Sequence, residues 1–203
     1  MNYNSDSKKE EFLSEEFWNN RWINHETGWD IGYASPAILH FFETIEDKEA
    51  KILIPGCGNA YEAENLQKLG FKNITLIDIA PKAVELLKEK FASYPNIRII
   101  CADFFQHEDQ YDYIVEQTFF CAINPSLRKN YVQKTSSLLN KGGQIVGLLF
   151  DTEFEKQGPP FGGQYKEYLD LFDTDFEIEQ MSRCTLSIEP RKDKELFIQL
   201  IKK

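Results

Sequence analysis

The stretch Lys51-Ile-Leu-Ile-Pro-Gly-Cys-Gly58 restricts this chain more than any other. A short β-branched run stops at Pro55-Gly56, and a helical spacing of apolar residues, Ala60, Ala63, Leu66 and Leu69, takes over at once and ends at Gly70. The pattern predicts a strand, a tight glycine turn and a helix. In such a turn Gly56 can take backbone angles closed to other residues and Gly58 lets the main chain approach a ligand, while the helix N-terminus offers unpaired N–H groups. A second apolar run, Ile74 to Ile77, ends in Asp78, twenty residues after Gly58. A nucleotide-binding βαβ unit places there the carboxylate that grips ribose hydroxyls.

Two nucleotide-like ligands use this layout. A dinucleotide brings a pyrophosphate, and its fingerprint has a third glycine three positions after the second. Here that position is Tyr61, and its bulk argues against NAD or FAD. S-adenosylmethionine (SAM) has no phosphate and carries a sulfonium, so it asks for backbone contact, a ribose-binding acid and a slot for adenine. SAM is the expected cofactor.

The 203 residues suffice for one α/β domain with a single large core, and the expectation is one domain over 1–203 in which 1–34 form an N-terminal arm and lid. A net charge of −10 with scattered Lys and Arg would repel nucleic acid phosphates and anionic lipid, so neither is expected as a partner. No apolar run reaches about 18 residues and Met1 to Glu11 are polar, so no membrane span or signal peptide is read. Cys57, Cys101, Cys121 and Cys184 have no CxxC pairing and read as reduced cytosolic thiols. The expectation is a cytoplasmic monomer without a metal site, acting on a small molecule.

Residues 1–11 read as frayed. Ser14 caps a helix with Glu15 and Glu16 in its first turn, and Trp18 and Trp22, four apart, share a face. Trp29 follows in a glycine-flanked loop. The three indoles either pin the arm to the core or cover the ligand, since a sulfonium is attracted to electron-rich rings. Ser35-Pro36 starts a helix packed on the sheet, with Ser35 as its cap, and Pro81 starts another. A third strand, Ile97 to Cys101, leads to Asp103-Phe104-Phe105, which reads either as an acid to accept from the adenine amino group with a ring to stack on the base, or as a capping Asp with two core phenylalanines. A fourth, Tyr111 to Val115, leads into the Glu116 to Pro125 segment, which should face the transferable group. Helix Ser126 to Leu139, strand Gln144 to Phe150, a punctuated segment 151–163, helix Tyr165 to Phe172 and a closing antiparallel pair, Phe176 to Ile188 and Glu195 to Ile201, complete the chain. The 151–163 segment reads as a substrate wall or a plain linker.

Taken together, Trp18, Trp22 and Trp29, Pro-Gly-Cys-Gly at 55–58, Asp-Phe-Phe at 103–105, Ala-Ile-Asn-Pro-Ser-Leu-Arg at 122–128 and Gly-Pro-Pro-Phe at 158–161 resemble the thiopurine S-methyltransferase family, which also contains halide, thiocyanate and thiol methyltransferases. The match runs from about residue 14 to the C-terminus. It implies a Rossmann-like class I SAM-dependent methyltransferase: α/β, a seven-stranded mostly parallel sheet with a C-terminal antiparallel hairpin, helices on both faces and an N-terminal helical lid. It further implies that Trp18, Trp22, Trp29, Gly56, Gly58, Asp78, Ile79, Asp103, Phe104 and Glu116 contact SAM, with S-adenosylhomocysteine as product. Gln117 stands where animal thiopurine enzymes carry Arg and plant halide enzymes carry Tyr.

Methyl transfer to an anionic nucleophile such as a thiolate, bisulfide, iodide or thiocyanate cancels opposite charges, so an apolar, water-poor site helps and no strong base is needed. The chain has only His25, His40 and His107, and each reads as structural or solvated. Phe119, Phe120 and Phe161 are expected to wall the pocket, with Gln117 beside them, Tyr165 or Tyr61 offering a hydroxyl, and Arg128 either attracting the anion or lying on the helix surface. The expected activity is methyl transfer to a small soft nucleophile: thiol, bisulfide, thiocyanate, halide or thiopurine. Two alternatives are a non-catalytic SAM-binding sensor or partner protein and a dinucleotide oxidoreductase.

Overall fold

The apolar run at Lys51–Pro55 forms β1, and its side chains alternate as a strand's must: Leu53 points into one core cluster while Ile52 and Ile54 point into another. Ile52, Leu53 and Ile54 are all buried, so β1 is covered on both faces, the condition of a parallel strand with helices on either side. The computed structural model describes residues 13–203. The expected fraying of residues 1–11 lies outside them.

Seven strands form one sheet in the order β3-β2-β1-β4-β5-β7-β6. β1 pairs in parallel with β2 (Asn73–Asp78) and β4 (Tyr111–Gln117), β2 with β3 (Ile97–Cys101), and β4 with β5 (Leu139–Phe150). β7 (Glu195–Lys202) inserts antiparallel between β5 and β6 (Phe176–Arg183). The chain thus steps outward from β1 to β3 and then restarts on the other side of β1, creating a topological switch between β1 and β4. In open α/β sheets the ligand crevice lies beyond the strand ends at such a switch.

Helices α1 (Glu15–Ile23), α2 (Pro36–Glu43), α3 (Tyr61–Lys68) and α4 (Pro81–Lys90) precede β3, and α5 (Arg128–Leu138) and α6 (Tyr165–Phe172) follow β4. Ile38 and Phe42 of α2, Leu66 of α3 and Leu87 of α4 pack against Ile52, Ile54 and Val115. Tyr131 of α5 and Tyr168 and Phe172 of α6 pack on the opposite face against Leu53, Ile114 and Ile198. Among the described residues no helix is long and apolar enough to cross a membrane.

Three expectations are corrected. α5 starts at Arg128 rather than Ser126, because Asn124 caps a short 3-10 turn, Pro125–Leu127, by accepting from the Ser126 N–H. β5 starts at Leu139 rather than Gln144: Gly142, at φ +75°, and Gly143 sit beside an irregularity in the pairing with β4 instead of in a turn outside the sheet. Ser35 does not cap α2; its N–H donates to Glu62 Oε1 at 2.9 Å and its hydroxyl has no partner among the described residues. Ser14, by contrast, does cap α1, accepting from the Phe17 N–H at 3.2 Å.

Candidate active site

At the carboxyl ends of β1, β2 and β4 the structure holds one large cavity of about 980 Å³. Its floor is the glycine turn. Gly56 and Gly58 both have positive φ, +54° and +51°, so both occupy backbone space that side chains resist. A Cβ on Gly56 would run into the ring edge of Phe119 and lie 3.0 Å from its Cγ, whereas one on Gly58 would find only ordinary contact, Trp22 at 3.6 Å and Trp29 Nε1 at 4.0 Å. The first glycine is therefore required by packing as well as by angle.

Asp78 ends β2 and is 8 % exposed. Its Oδ1 accepts from the Ala80 N–H at 2.9 Å and its Oδ2 from the Gly58 N–H at 3.2 Å, tying the turn to the strand beside it. Burial pushes the carboxyl above its usual range, while the backbone donors from Ala80, Gly58 and Ile79 pull it back. Ile79 joins Asp78 in the cavity wall. At the end of β3, Asp103 Oδ1 accepts from the Phe105 N–H at 2.9 Å, and the Phe104 ring stacks edge-on to Phe119 with centroids 5.1 Å apart. Asp103 and Phe104 also line the cavity.

The three tryptophans close it from the N-terminal side. Trp18 and Trp22 do share one face of α1, and Trp29 meets both edge-on, with centroids at 5.6 and 6.1 Å. The group packs on Ala80 and Ala83 at the start of α4, and Asn19 Oδ1 accepts from the Lys82 N–H at 2.8 Å. Trp22 is buried, while Trp18 and Trp29 keep part of their surface toward the cavity. Pinning the arm and walling the cavity are thus one arrangement.

The residues expected to wall the acceptor side divide. Phe119 lines the cavity. Phe120 does not: it is 1 % exposed and packs on Tyr131, Tyr168 and Phe172 in the core, because consecutive residues of this turn point in opposite directions. Arg128 is neither an anion attractor nor a surface residue. It is buried, donates to Glu167 Oε1 at 2.7 Å and to the Gly162 carbonyl at 2.6 Å, and lies over the Phe120 ring, so its charge is spent holding α6 and the 151–163 segment to α5. Phe161 faces an outer, shallower recess shared with Asn124 and Lys156, its N–H donating to the Cys121 carbonyl. Tyr165 is 43 % exposed at the start of α6 and is not among the residues that line the main cavity. Tyr61 donates its hydroxyl to Asp30 Oδ2 and Gln117 borders a small side chamber with it, its Oε1 buried without a partner among the described residues. The 151–163 segment itself contributes Phe154, Lys156, Pro159 and Pro160 to the main cavity, which makes it a wall.

Glu116 is placed differently from a ligand contact. It is wholly buried; Oε1 accepts from the Phe119 and Phe120 N–H groups at 2.9 Å each, and Oε2 from the Tyr131 hydroxyl at 2.8 Å. Burial pushes its carboxyl up to about 7. Arg191, in the β6–β7 connection, was invisible to pattern reading: it lines the cavity, donates to the Trp29 carbonyl at 3.0 Å and stands 3.6 Å from Glu195. Only tertiary pairing across the whole chain brings it there.

These residues suit SAM and not a dinucleotide. Asp78, the buried Glu62 and Asp30, whose Oδ2 also accepts from Asn59 Nδ2, surround the glycine turn with negative charge. A pyrophosphate would be repelled there; a ribose diol and a sulfonium would not. A model of thiopurine S-methyltransferase (TPMT) sequences matches residues 13–202. A probable thiol methyltransferase 2 from Arabidopsis thaliana is 32% identical over 184 residues, covering 88% of this chain and 81% of its own. A thiopurine S-methyltransferase from Photobacterium profundum is 26% identical, covering 79% and 83%. In fold, the chain is similar to the crystal structure of a Burkholderia thailandensis 1,6-didemethyltoxoflavin-N1-methyltransferase with bound S-adenosylhomocysteine, at a TM-score of 0.77, 12% identity and coverage of 100% and 92%. With the glycine turn, the buried Asp78 and the indole wall all in one crevice, this chain belongs to the thiopurine S-methyltransferase family and is a SAM-dependent methyltransferase.

Proposed function

We propose that the enzyme methylates a small soft nucleophile, an organic thiol foremost, by direct in-line displacement. One observation carries this reading: the apolar walls of the acceptor side offer no imidazole and no phenol to take a proton. His25, His40 and His107 lie elsewhere and no tyrosine is among its described lining residues. Cys121 lines it, but burial and the neighbouring Glu116 push its thiol up to about 12, so it stays protonated and inert. An acceptor that arrives as a thiolate, or ionises readily, needs no base. The remaining walls, Phe119, Ile123, Phe150 and Phe154, are apolar and strip water from the nucleophile. Arg191, Lys156 and Lys194 also line the cavity, giving an anion a positive border in a chain of net charge −10.

In this reading Asp78 accepts from the ribose hydroxyls, Asp103 and Phe104 hold the adenine, and Trp18, Trp22 and Trp29 cover the sulfonium. When bound, SAM supplies a methyl group on a positive sulfur, and the acceptor's new bond to carbon forms as the carbon–sulfur bond breaks. The volume, at the upper end of what one drug-sized ligand occupies, supports an organic acceptor beside the cofactor over a bare halide. The test is incubation with methyl-labelled SAM and, separately, a small aryl thiol, bisulfide, thiocyanate, iodide and a thiopurine, counting products in solution and headspace. The thiols are expected to give methylated product. Tight SAM binding with no product from any soft nucleophile would overturn the proposal and favour a SAM-binding protein without turnover.

A further inference from the structure

We infer that Glu116 is a positioning residue for methyl transfer, acting through Phe119. The inference rests on the proposed reading only for what the positioned wall does to the acceptor; its effect on the donor side stands without it. Four features lead to it. First, Glu116 is wholly buried and is not among the residues that line the cavity, so it acts on a ligand only through others. Second, one oxygen gathers two successive N–H groups, Phe119 and Phe120, and so closes the turn that follows β4. Third, that turn needs Thr118 at φ +61°, a left-handed angle that a residue with a branched side chain resists and that must be imposed from outside. Fourth, the turn so closed delivers the Phe119 ring onto Gly56, where no Cβ would fit, and edge-on to Phe104.

The carboxylate is thus the anchor of a short lever. Tyr131 of α5 fixes the far oxygen, the near oxygen fixes the turn, and the ring at the end of the turn forms the wall that faces both the glycine turn and the acceptor side. Gly147 of β5 lies so close behind that a Cβ there would collide with the Glu116 backbone, so the anchor has no room to move back. Misplacing the wall would loosen the donor and spoil the attack geometry together.

The inference is tested by calorimetric binding of S-adenosylhomocysteine to the wild type, Glu116→Gln, Glu116→Ala, Phe119→Ala and the Glu116→Ala/Phe119→Ala double variant, each first shown to be folded by circular dichroism. Gln keeps an oxygen for the two N–H groups; Ala does not. Glu116→Ala is expected to weaken binding by about tenfold and Glu116→Gln by less than about threefold. The double variant should bind like Phe119→Ala alone, because a residue acting through Phe119 has nothing left to act on. If Glu116→Ala does not fold, Glu116→Asp, one methylene too short to span the turn, takes its place with the same expectation. Unchanged affinity in the Ala or Asp variant, an equal loss in Gln, or additive losses in the double variant would overturn the inference. Where methyl product is obtained, kcat should fall in Glu116→Ala with KM for the acceptor changed less. Absence of product in the wild type would fail the acceptor proposal alone, since the binding cycle reads the lever without it.

Discussion

Replacing Gly56 with alanine separates two reasons for a glycine that sequence alone runs together. At φ +54° the new residue takes on left-handed strain of about 1–2 kcal/mol. Its Cβ also enters the Phe119 ring edge, 3.0 Å from Cγ and 3.2 Å from the Phe119 Cβ, an overpacking that costs typically about 1–3 kcal/mol. The ring cannot swing away freely, because the turn carrying it is held by Glu116. The total should be about 3 kcal/mol. Gly58→Ala has the same strain at φ +51° but no clash, so it should cost only about 1–2 kcal/mol. Urea unfolding measures both, and with a slope of about 2–3 kcal/mol per molar the Gly56 variant should unfold about 1–1.5 M earlier than the wild type. Adding Phe119→Ala should remove the clash, so the double loss falls short of the sum by about 1–2 kcal/mol. Equal losses for the two glycines, with no coupling to Phe119, would refute the packing argument.

Asp78→Asn removes the charge from the ribose-side hydrogen bonds while keeping the side chain's shape, and calorimetry should show SAM binding weaker by about 2 kcal/mol, roughly thirtyfold; unchanged affinity would take Asp78 out of the site. Arg128→Met should destabilise the fold by about 2–3 kcal/mol in urea, because the Gly162 carbonyl loses its donor and Glu167 its partner, and a loss under about 0.5 kcal/mol would show the clasp to be idle. Glu116, pushed up from 4.5 to about 7, binds its proton more tightly folded than unfolded, so its contribution is fully present below about pH 4.5 and is lost as pH rises through about 7. Glu116→Gln should therefore gain on the wild type across that window by about 3 kcal/mol in chemical denaturation, and a constant difference from pH 4 to 8 would contradict the burial argument.

The parts of the site legible in the sequence are those fixed by neighbours along the chain. The glycine turn, Asp78 at the end of its strand, Asp103-Phe104 at the next and the Trp18–Trp22 spacing each follow from a local period or a local turn. Arg128 was misjudged because what buries it, Glu167 and the Gly162 carbonyl, lies more than thirty residues away and because α5 begins two residues later than its composition suggests. Glu116 escapes pattern reading because β4 is covered on both faces, so hydrophobic alternation does not say which residue points at the cavity and which at α5, and Phe120 escapes it because the turn after β4 has no period at all. Arg191 gave no signal at all, since its partner Trp29 is 162 positions earlier.

The strand order at the C-terminal edge bears on how this protein is made. β7, which follows β6 in the chain, sits between β5 and β6, and among the described residues β6 pairs with nothing else in the sheet. Until Glu195–Lys202 have left the ribosome, β5 presents an open hydrogen-bonding edge and β6 has no partner to join. A chain stopped or clipped just before Glu195 would lose two strands rather than one, along with the hold of Arg191's neighbour Glu195 on the cavity wall. Such a fragment would expose an unpaired edge that invites association with its own copies, so this eight-residue strand decides between a closed sheet and an aggregating intermediate.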